Sequence, residues 1–146
     1  MALTVLEATR RNTTEITLCE SAALFNATSD VSSTSEITDA TLQNKLHAAV
    51  KISAIIDVDS VASSPAGTLY VKYSDDSGTT YYPSGNRGIV TWTIIATAGH
   101  YTAIGTFDAL PSGVTNFQIA ADTGATLDGT NTITLGTDTK LIIEFL

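Results

Sequence analysis

The feature that most constrains the fold is an unbroken alternation of side chains over residues 46–58. One set of alternate positions is wholly apolar, and its members are Leu46, Ala48, Val50, Ile52, Ala54, Ile56 and Val58. Because successive side chains of a strand point to opposite faces of a sheet, this period of two predicts a long central strand. A helix is the alternative at its start, since Leu42 and Leu46 also fit a helical period with Asp39 as cap. We therefore expect a turn or a single helical turn over residues 39–44, and then the strand from about Leu46.

Residues 67–83, with the sequence GTLYVKYSDDSGTTYYP, predict a β-hairpin. Side chains alternate over residues 69–74, and the turn formers Asp-Asp-Ser-Gly follow at residues 75–78. The chain is then expected to return through residues 79–82, and the neighbouring strands are expected to pair with this ribbon.

Further strand signals recur about every ten residues between turns rich in Gly, Pro, Asp and Ser. They comprise a short strand at Ile37 and strands over residues 89–96, 101–107, 114–121, 132–135 and 140–145. Loops are expected at residues 26–35, 61–66 and 83–88. The spacing predicts an all-β fold, an antiparallel, jelly-roll-like β-sandwich of about eight strands.

We expect one domain over residues 1–146, with the sandwich core in residues 36–146 and an N-terminal arm and loop in residues 1–35. Two alternatives stay open for residues 1–18. They could be an arm that reaches a neighbouring subunit, or an ordinary edge strand of the sandwich.

The chain is acidic, with 15 Asp and Glu residues against 7 Lys and Arg residues and a net charge of −8. A surface of this sign repels phosphate backbones and anionic lipids, so we expect neither a nucleic-acid partner nor a membrane partner. Cys19 is the single cysteine, which excludes an intrachain disulfide and a cysteine-based zinc site. The chain shows no membrane-length apolar stretch and no secretory signal, which predicts a soluble product made in a cytoplasm.

The residues that could carry chemistry have no local signature. His47 and His100 lie outside any catalytic spacing, so we expect no enzymatic activity and no cofactor. Asp57 and Asp59 share one strand face and could offer oxygen ligands to calcium. Further aspartates occupy predicted turns at residues 75–78, 122–124 and 128–129. We favour turns in which these carboxylates accept backbone N–H groups, and we expect no metal site.

Six aromatic residues cluster around the predicted hairpin and its neighbours: Tyr70, Tyr73, Tyr81, Tyr82, Trp92 and Tyr101. Exposed rings stack on sugar faces, which leaves a carbohydrate-binding or adhesin domain as an alternative function. The favoured interpretation is that Tyr73, Trp92 and Phe107 fill the core, while the other tyrosines keep their hydroxyls at the surface.

Four segments carry a resemblance to a known class of protein: residues 73–82, 98–101, 110–113 and 117–121. The turn YSDDSGTTYY, followed by AGHY, LPSG and a strand with Phe117, resembles the small β-sandwich structural proteins of tailed bacteriophages, especially capsid decoration (cement) proteins. The resemblance covers about residues 46–146 and rests on turn chemistry and packing aromatics.

This resemblance implies a non-enzymatic virion protein that binds and stabilises the outer surface of a phage head after synthesis in the host bacterial cytoplasm. Its partners would be the major capsid protein and copies of itself, in a trimer or another homo-oligomer. The arm and the exposed edge strands would supply strand-addition contacts. The hairpin tip, at Asp75, Asp76, Tyr81 and Tyr82, would touch a partner. A tail or baseplate module is an alternative within the same class.

Overall fold

The structure, a computed structural model, describes residues 12–27, 31–106 and 110–145, and for residues 31–34 it describes the backbone alone. Its strands are β1 (Asn12–Thr17), β2 (Ala23–Phe25), β3 (Val31–Glu36), β4 (Ala49–Ala62), β5 (Thr68–Ser74), β6 (Val90–Thr93), β7 (Gly99–Gly105), β8 (Asn116–Ala121), β9 (Thr132–Leu135) and β10 (Lys140–Phe145). A short helix, α1 (Ala40–Lys45), and a 3-10 turn (Leu46–Ala48) precede β4. Each pairing between these strands is antiparallel, which confirms the predicted all-β antiparallel sandwich.

The strands form a curved sheet in the order β1-β10-β4-β7-β6-β5-β8-β3. β4 is the central strand, and along one side it pairs first with β10 and then with β9. β1 and β2 extend this arrangement outward, because β1 pairs with β10 and β2 pairs with β9. The sheet thus closes almost completely into a barrel-like sandwich, with β1 and β2 at one edge, β3 at the other, and an open seam between β1 and β3.

Two consecutive strands, β9 and β10, lie end to end beside β4, and β1 and β2 lie end to end beside them. Both rows are interrupted at the same level of the sheet. Residues 136–139 separate β9 from β10, and residues 18–22 separate β1 from β2. The Leu18 N–H donates to the Thr139 carbonyl over 2.9 Å, so the two interruptions lie side by side. At the same level, the pairing of β4 with β9 shifts register between Val58 and Ser60.

The core is filled by one face of each strand. Ile52, Ala54, Ile56 and Val58 are buried along β4, which confirms the predicted alternation from Ile52 onward. Val50, at the start of β4, was predicted on the same face and is 45% exposed. The largest fully buried side chains are Phe25, Phe117, Leu18, Leu46, Ile56, Leu69, Ile89, Ile119, Ile133, Leu135, Leu141 and Ile143. Each such burial contributes about 1.5–3 kcal/mol before the entropy of ordering the chain is subtracted.

The segment before β4 confirms the predicted helical turn. Asp39 is the N-cap of α1, and its Oδ1 accepts the Thr41 N–H over 2.9 Å. β4 begins at Ala49 rather than Leu46, because the 3-10 turn first buries Leu46 completely. β4 also continues to Ala62, into the loop predicted for residues 61–66, because β9 pairs with that end of the strand.

The predicted loop at residues 26–35 is wrong in its second half, where β3 forms. The sequence VSSTSE lacks an apolar alternation, yet an edge strand needs only one neighbour and β8 supplies it. The short strand predicted at Ile37 is wrong too. Ile37 follows β3 as a buried residue, and its N–H donates to the Thr115 carbonyl over 2.7 Å.

The predicted hairpin at residues 67–83 is correct in its first strand, β5, and wrong in its second. The returning segment makes a single bridge, in which Tyr73 and Tyr82 exchange backbone hydrogen bonds of 2.9 and 2.7 Å. β5 is already paired with β8 on one side and with β6 on the other as far as Val71. Beyond Val71 the free edge of β5 is therefore too short for a full return strand.

The N-terminal segment is an edge strand from Asn12 onward, because β1 pairs with β10 over its whole length. Residues 1–11, which include the rest of the proposed arm, lie outside the described residues, as does Phe107, a predicted core residue.

Candidate functional site

The four residues predicted to touch a partner lie in the connection between β5 and β6, and Asp76 belongs to its internal structure. The Asp76 Oδ1 accepts the Ser74 hydroxyl over 2.6 Å and the Thr80 N–H over 2.9 Å. The bond from Ser74, followed by the bond from Thr80, lowers the pKa of the Asp76 carboxyl below its usual value of 3.8. Asp76 therefore shapes the turn, and Asp75 beside it is exposed.

The tyrosines of this connection differ in exposure. Burial raises the pKa of the half-buried Tyr81 hydroxyl, and the negative charge of Asp76 adds to the rise. Tyr82 is 39% exposed, and its ring lies against that of Tyr73 with 5.8 Å between the centroids. Among the four predicted residues, Asp75, Asp76 and Tyr82 are exposed and Tyr81 is half-buried. Because Asp76 uses its carboxylate within the turn, Asp75 and Tyr82 are the two whose side chains are left for a partner.

The wider aromatic cluster does not form one exposed platform. Trp92 is buried, which confirms it as a core residue, and its ring centroid lies 5.6 Å from that of Tyr101. The Tyr101 hydroxyl donates to the Thr97 carbonyl over 2.8 Å. A sugar-binding platform needs accessible ring faces, and the buried Trp92 ring does not offer one.

Lys72 holds the loop that follows this connection. Its buried ammonium group donates to the carbonyls of Pro83 and Gly85 over 2.7 and 2.6 Å. Burial lowers the pKa of Lys72, and the nearby positive charge of Arg87 lowers it further. This contact fixes the predicted loop at residues 83–88 against β5.

The aspartates of two further predicted turns accept backbone N–H groups, as predicted. The Asp122 Oδ1 accepts the Gly124 N–H over 2.7 Å, and the Asp128 Oδ1 accepts the N–H groups of Thr130 and Asn131 over 2.8 and 2.7 Å. The bonds from Asn131 and Thr130 lower the pKa of the Asp128 carboxyl. These aspartates stabilise the turns in which they lie.

The seam between β1 and β3 forms a groove of about 260 Å³. Its lining is Glu15, Ile16, Thr17, Glu20, Ser35, Glu36, Ile37, Thr38, Asp39 and Leu42. In the described part of the chain, β1 pairs only with β10 and β3 only with β8, so both strands turn an unpaired edge to the groove. The Ser35 hydroxyl is buried there without a hydrogen-bond partner among the described residues. The groove thus combines an apolar floor, acidic side chains and unused backbone hydrogen-bonding groups.

A second group of side chains lies on the outer face of the sheet, beside the paired interruptions. Asp57 of β4 is opposite His100 of β7 in the strand register, and the Asp57 Oδ1 lies 3.0 Å from the His100 Nε2. Asp138, from the connection between β9 and β10, brings its Oδ2 to 3.9 Å from the same nitrogen. One ligand atom from each of the three residues lies within 4.8 Å of the others.

This grouping could not be found from local spacing, because its members are separated by about 40 residues each. The sequence predicted Asp57 on the face opposite the apolar one and His100 in a turn, whereas His100 lies in β7. Only the register of β4 against β7 brings them together, and only the interruption after β9 adds Asp138.

The chain matches no protein-family model and no curated protein. None of the helices within the described ranges has the length and apolar character needed to cross a bilayer.

Proposed function

We propose that this chain is a non-enzymatic structural subunit of a tailed-phage virion, a capsid decoration protein that binds the outer surface of the head and copies of itself. The observation that carries this proposal is the open seam, where the unpaired edges of β1 and β3 border an acidic groove that a further strand could enter. Unpaired strand edges are the surfaces at which proteins add a strand from a partner. The resemblance of residues 73–82 and 98–121 to phage decoration proteins supplies the biological setting.

The groove indicates what kind of segment would enter it. An extended segment would hydrogen-bond to the edge of β1, of β3 or of both, and would place apolar side chains against Ile16 and Ile37. Basic side chains on the segment would complement Glu20 and Glu36, which are both exposed. The pair Arg10-Arg11, outside the described residues, could supply such charges from a second copy.

The hairpin tip is a second contact surface in this proposal, through Asp75 and Tyr82. Both are exposed on a turn that Ser74 and Asp76 hold rigid, so a contact there would cost little ordering entropy.

The proposal is tested by mixing the purified chain with expanded heads assembled from the major capsid protein of the same virus, and sedimenting the heads. We expect the chain to sediment with heads and to raise their melting temperature. Glu20→Lys and Glu36→Lys should weaken this binding by tenfold or more, while the matched surface variant Thr130→Lys should bind as the wild type does.

Binding to purified tails instead of heads would favour a tail or baseplate module. Binding to a glycan array that is lost in Tyr82→Ala, with no binding to heads, would favour a carbohydrate-binding domain. Either result contradicts the decoration function.

A further inference from the structure

We propose that Asp57, His100 and Asp138 form a binding site for a divalent transition-metal ion of the zinc type. The sequence predicted no metal site, and the proposed virion function does not require one. The site would join three segments that are remote in sequence: β4, β7 and the connection between β9 and β10.

The geometry suits one small ion. Zinc lies about 2.0–2.2 Å from imidazole nitrogen and carboxylate oxygen ligands, so neighbouring ligand atoms of one tetrahedral ion are about 3.3–3.6 Å apart, and the two distances here lie on either side of that range. The Asp57 Oδ1 is 3.0 Å from the His100 Nε2, and the Asp138 Oδ2 is 3.9 Å from it. The side chain of Asp138 is 73% exposed, so a small rotation can bring its oxygen nearer.

The charges and hydrogen bonds of Asp57 also favour a cation. Asp57 is 8% exposed, yet its Oδ2 receives only a long contact of 3.4 Å from the Asp138 N–H among the described residues. A buried carboxylate normally has several hydrogen bonds or a full positive charge beside it. In the described part of the chain, its one ion-pair partner is His100, which is itself 60% exposed. A metal ion bound to this carboxylate would balance its negative charge.

The backbone around Asp57 is held firmly, as a ligand requires. The Asp57 N–H donates to the Thr139 hydroxyl over 3.0 Å, and the Gly136 N–H donates to the Asp57 carbonyl over 2.8 Å. A Cβ on Gly136 would overlap the carboxylate oxygens of both Asp57 and Asp59. The Asp59 carboxylate therefore lies close to the site and adds negative charge. Ligands that are fixed by their surroundings bind metal without a large ordering cost.

The ligand set selects among metals. An imidazole nitrogen with two carboxylates suits zinc, manganese or nickel, whereas calcium and magnesium prefer ligands that are all oxygen. A bound ion would tie the connection between β9 and β10 to the central strand, so its first effect would be on stability.

The test begins with protein stripped by EDTA and uses Zn²⁺ as the probe. At a Zn²⁺ concentration about 100 times Kd, we expect the melting temperature to rise by about 5–10 °C, and calorimetry to give one site per chain. His100→Gln and Asp138→Asn should each weaken Zn²⁺ binding by tenfold or more. The matched variants His47→Gln and Asp75→Asn change the same residue types at exposed positions outside the site, and they should bind Zn²⁺ as the wild type does.

Imidazole nitrogen NMR provides a readout that does not depend on the stability of a variant. Zn²⁺ should shift the Nε2 resonance of His100 and leave that of His47 unchanged. Absence of any Zn²⁺-dependent shift in melting temperature or in the His100 resonance would overturn the site. Equal loss of binding in His47→Gln, or a stronger response to Ca²⁺ than to Zn²⁺, would overturn it as well.

Discussion

The hydroxyl of Thr139 takes the place of a missing strand partner, and its removal should destabilise the sandwich measurably. At the interruption between β9 and β10, β4 has no strand beside Asp57 on that side. Instead the Thr139 Oγ1 accepts the Asp57 N–H over 3.0 Å, and the Thr139 side chain is fully buried. Thr139→Val keeps the shape of the side chain and leaves this N–H without an acceptor.

The expected cost follows from these contacts. An unsatisfied buried donor costs about 1–3 kcal/mol, and the extra methyl group of valine returns at most about 0.8 kcal/mol. The weaker contact of 3.4 Å from the Thr139 hydroxyl to the Asp57 carbonyl adds little, because that carbonyl also accepts the Gly136 N–H. We expect a net loss of about 1–2 kcal/mol, or a fall in melting temperature of about 2–8 °C.

The assay is thermal and urea unfolding followed by circular dichroism in the presence of EDTA. Thr139→Ser retains the hydroxyl and should lose less stability than Thr139→Val. The control is Thr134→Val, at a half-buried strand position, which should change the free energy of unfolding by less than about 0.5 kcal/mol. A Thr139→Val variant as stable as the wild type would refute the role of this hydroxyl.

Three further outcomes follow from the same structure. Gly105→Ala should lose about 1–3 kcal/mol in urea unfolding, because its Cβ would overlap the Ile52 carbonyl oxygen, whereas the Cβ of the control Gly129→Ala meets open space. Since the pKa of Asp76 is lowered on folding, its carboxylate stabilises the fold above pH 3.8 and that stabilisation is lost as the pH falls through the folded-state pKa. The Asp76→Asn variant should therefore melt at a lower temperature than the wild type at neutral pH, and the two melting temperatures should converge in strong acid. A difference that does not change with pH would contradict this. Truncation after Asp138 removes β10, which pairs with both β1 and β4, and a truncated chain that still melts cooperatively would contradict its central position.

Much of the fold could be predicted because a strand with one buried face has an apolar residue at every second position. From Ile52 to Val58 the alternation marks the buried residues of β4, and the apolar run LIIEFL marks β10. The Asp39 cap predicted α1 for the same local reason. β3 could not be predicted, because its Ser- and Thr-rich sequence has no alternation of apolar residues. It forms a strand through its hydrogen bonds to β8, which is remote in sequence.

The candidate sites were less accessible to sequence reasoning because both depend on contacts between remote segments. The turn roles of Asp76, Asp122 and Asp128 are local, and residue type with turn position was enough to predict them. The meeting of Asp57 with His100 depends on the register of two strands. The seam depends on where the curved sheet stops, which no local pattern of residues specifies.

The groove between β1 and β3 is tested most directly by cryo-electron microscopy of heads reconstituted with this chain. We expect density for the sandwich on the outer surface of the head, with one additional extended strand in the seam, near Glu20 and Glu36. Heads without added density, or a bound sandwich whose seam holds no additional strand, would contradict assembly by strand addition at this groove.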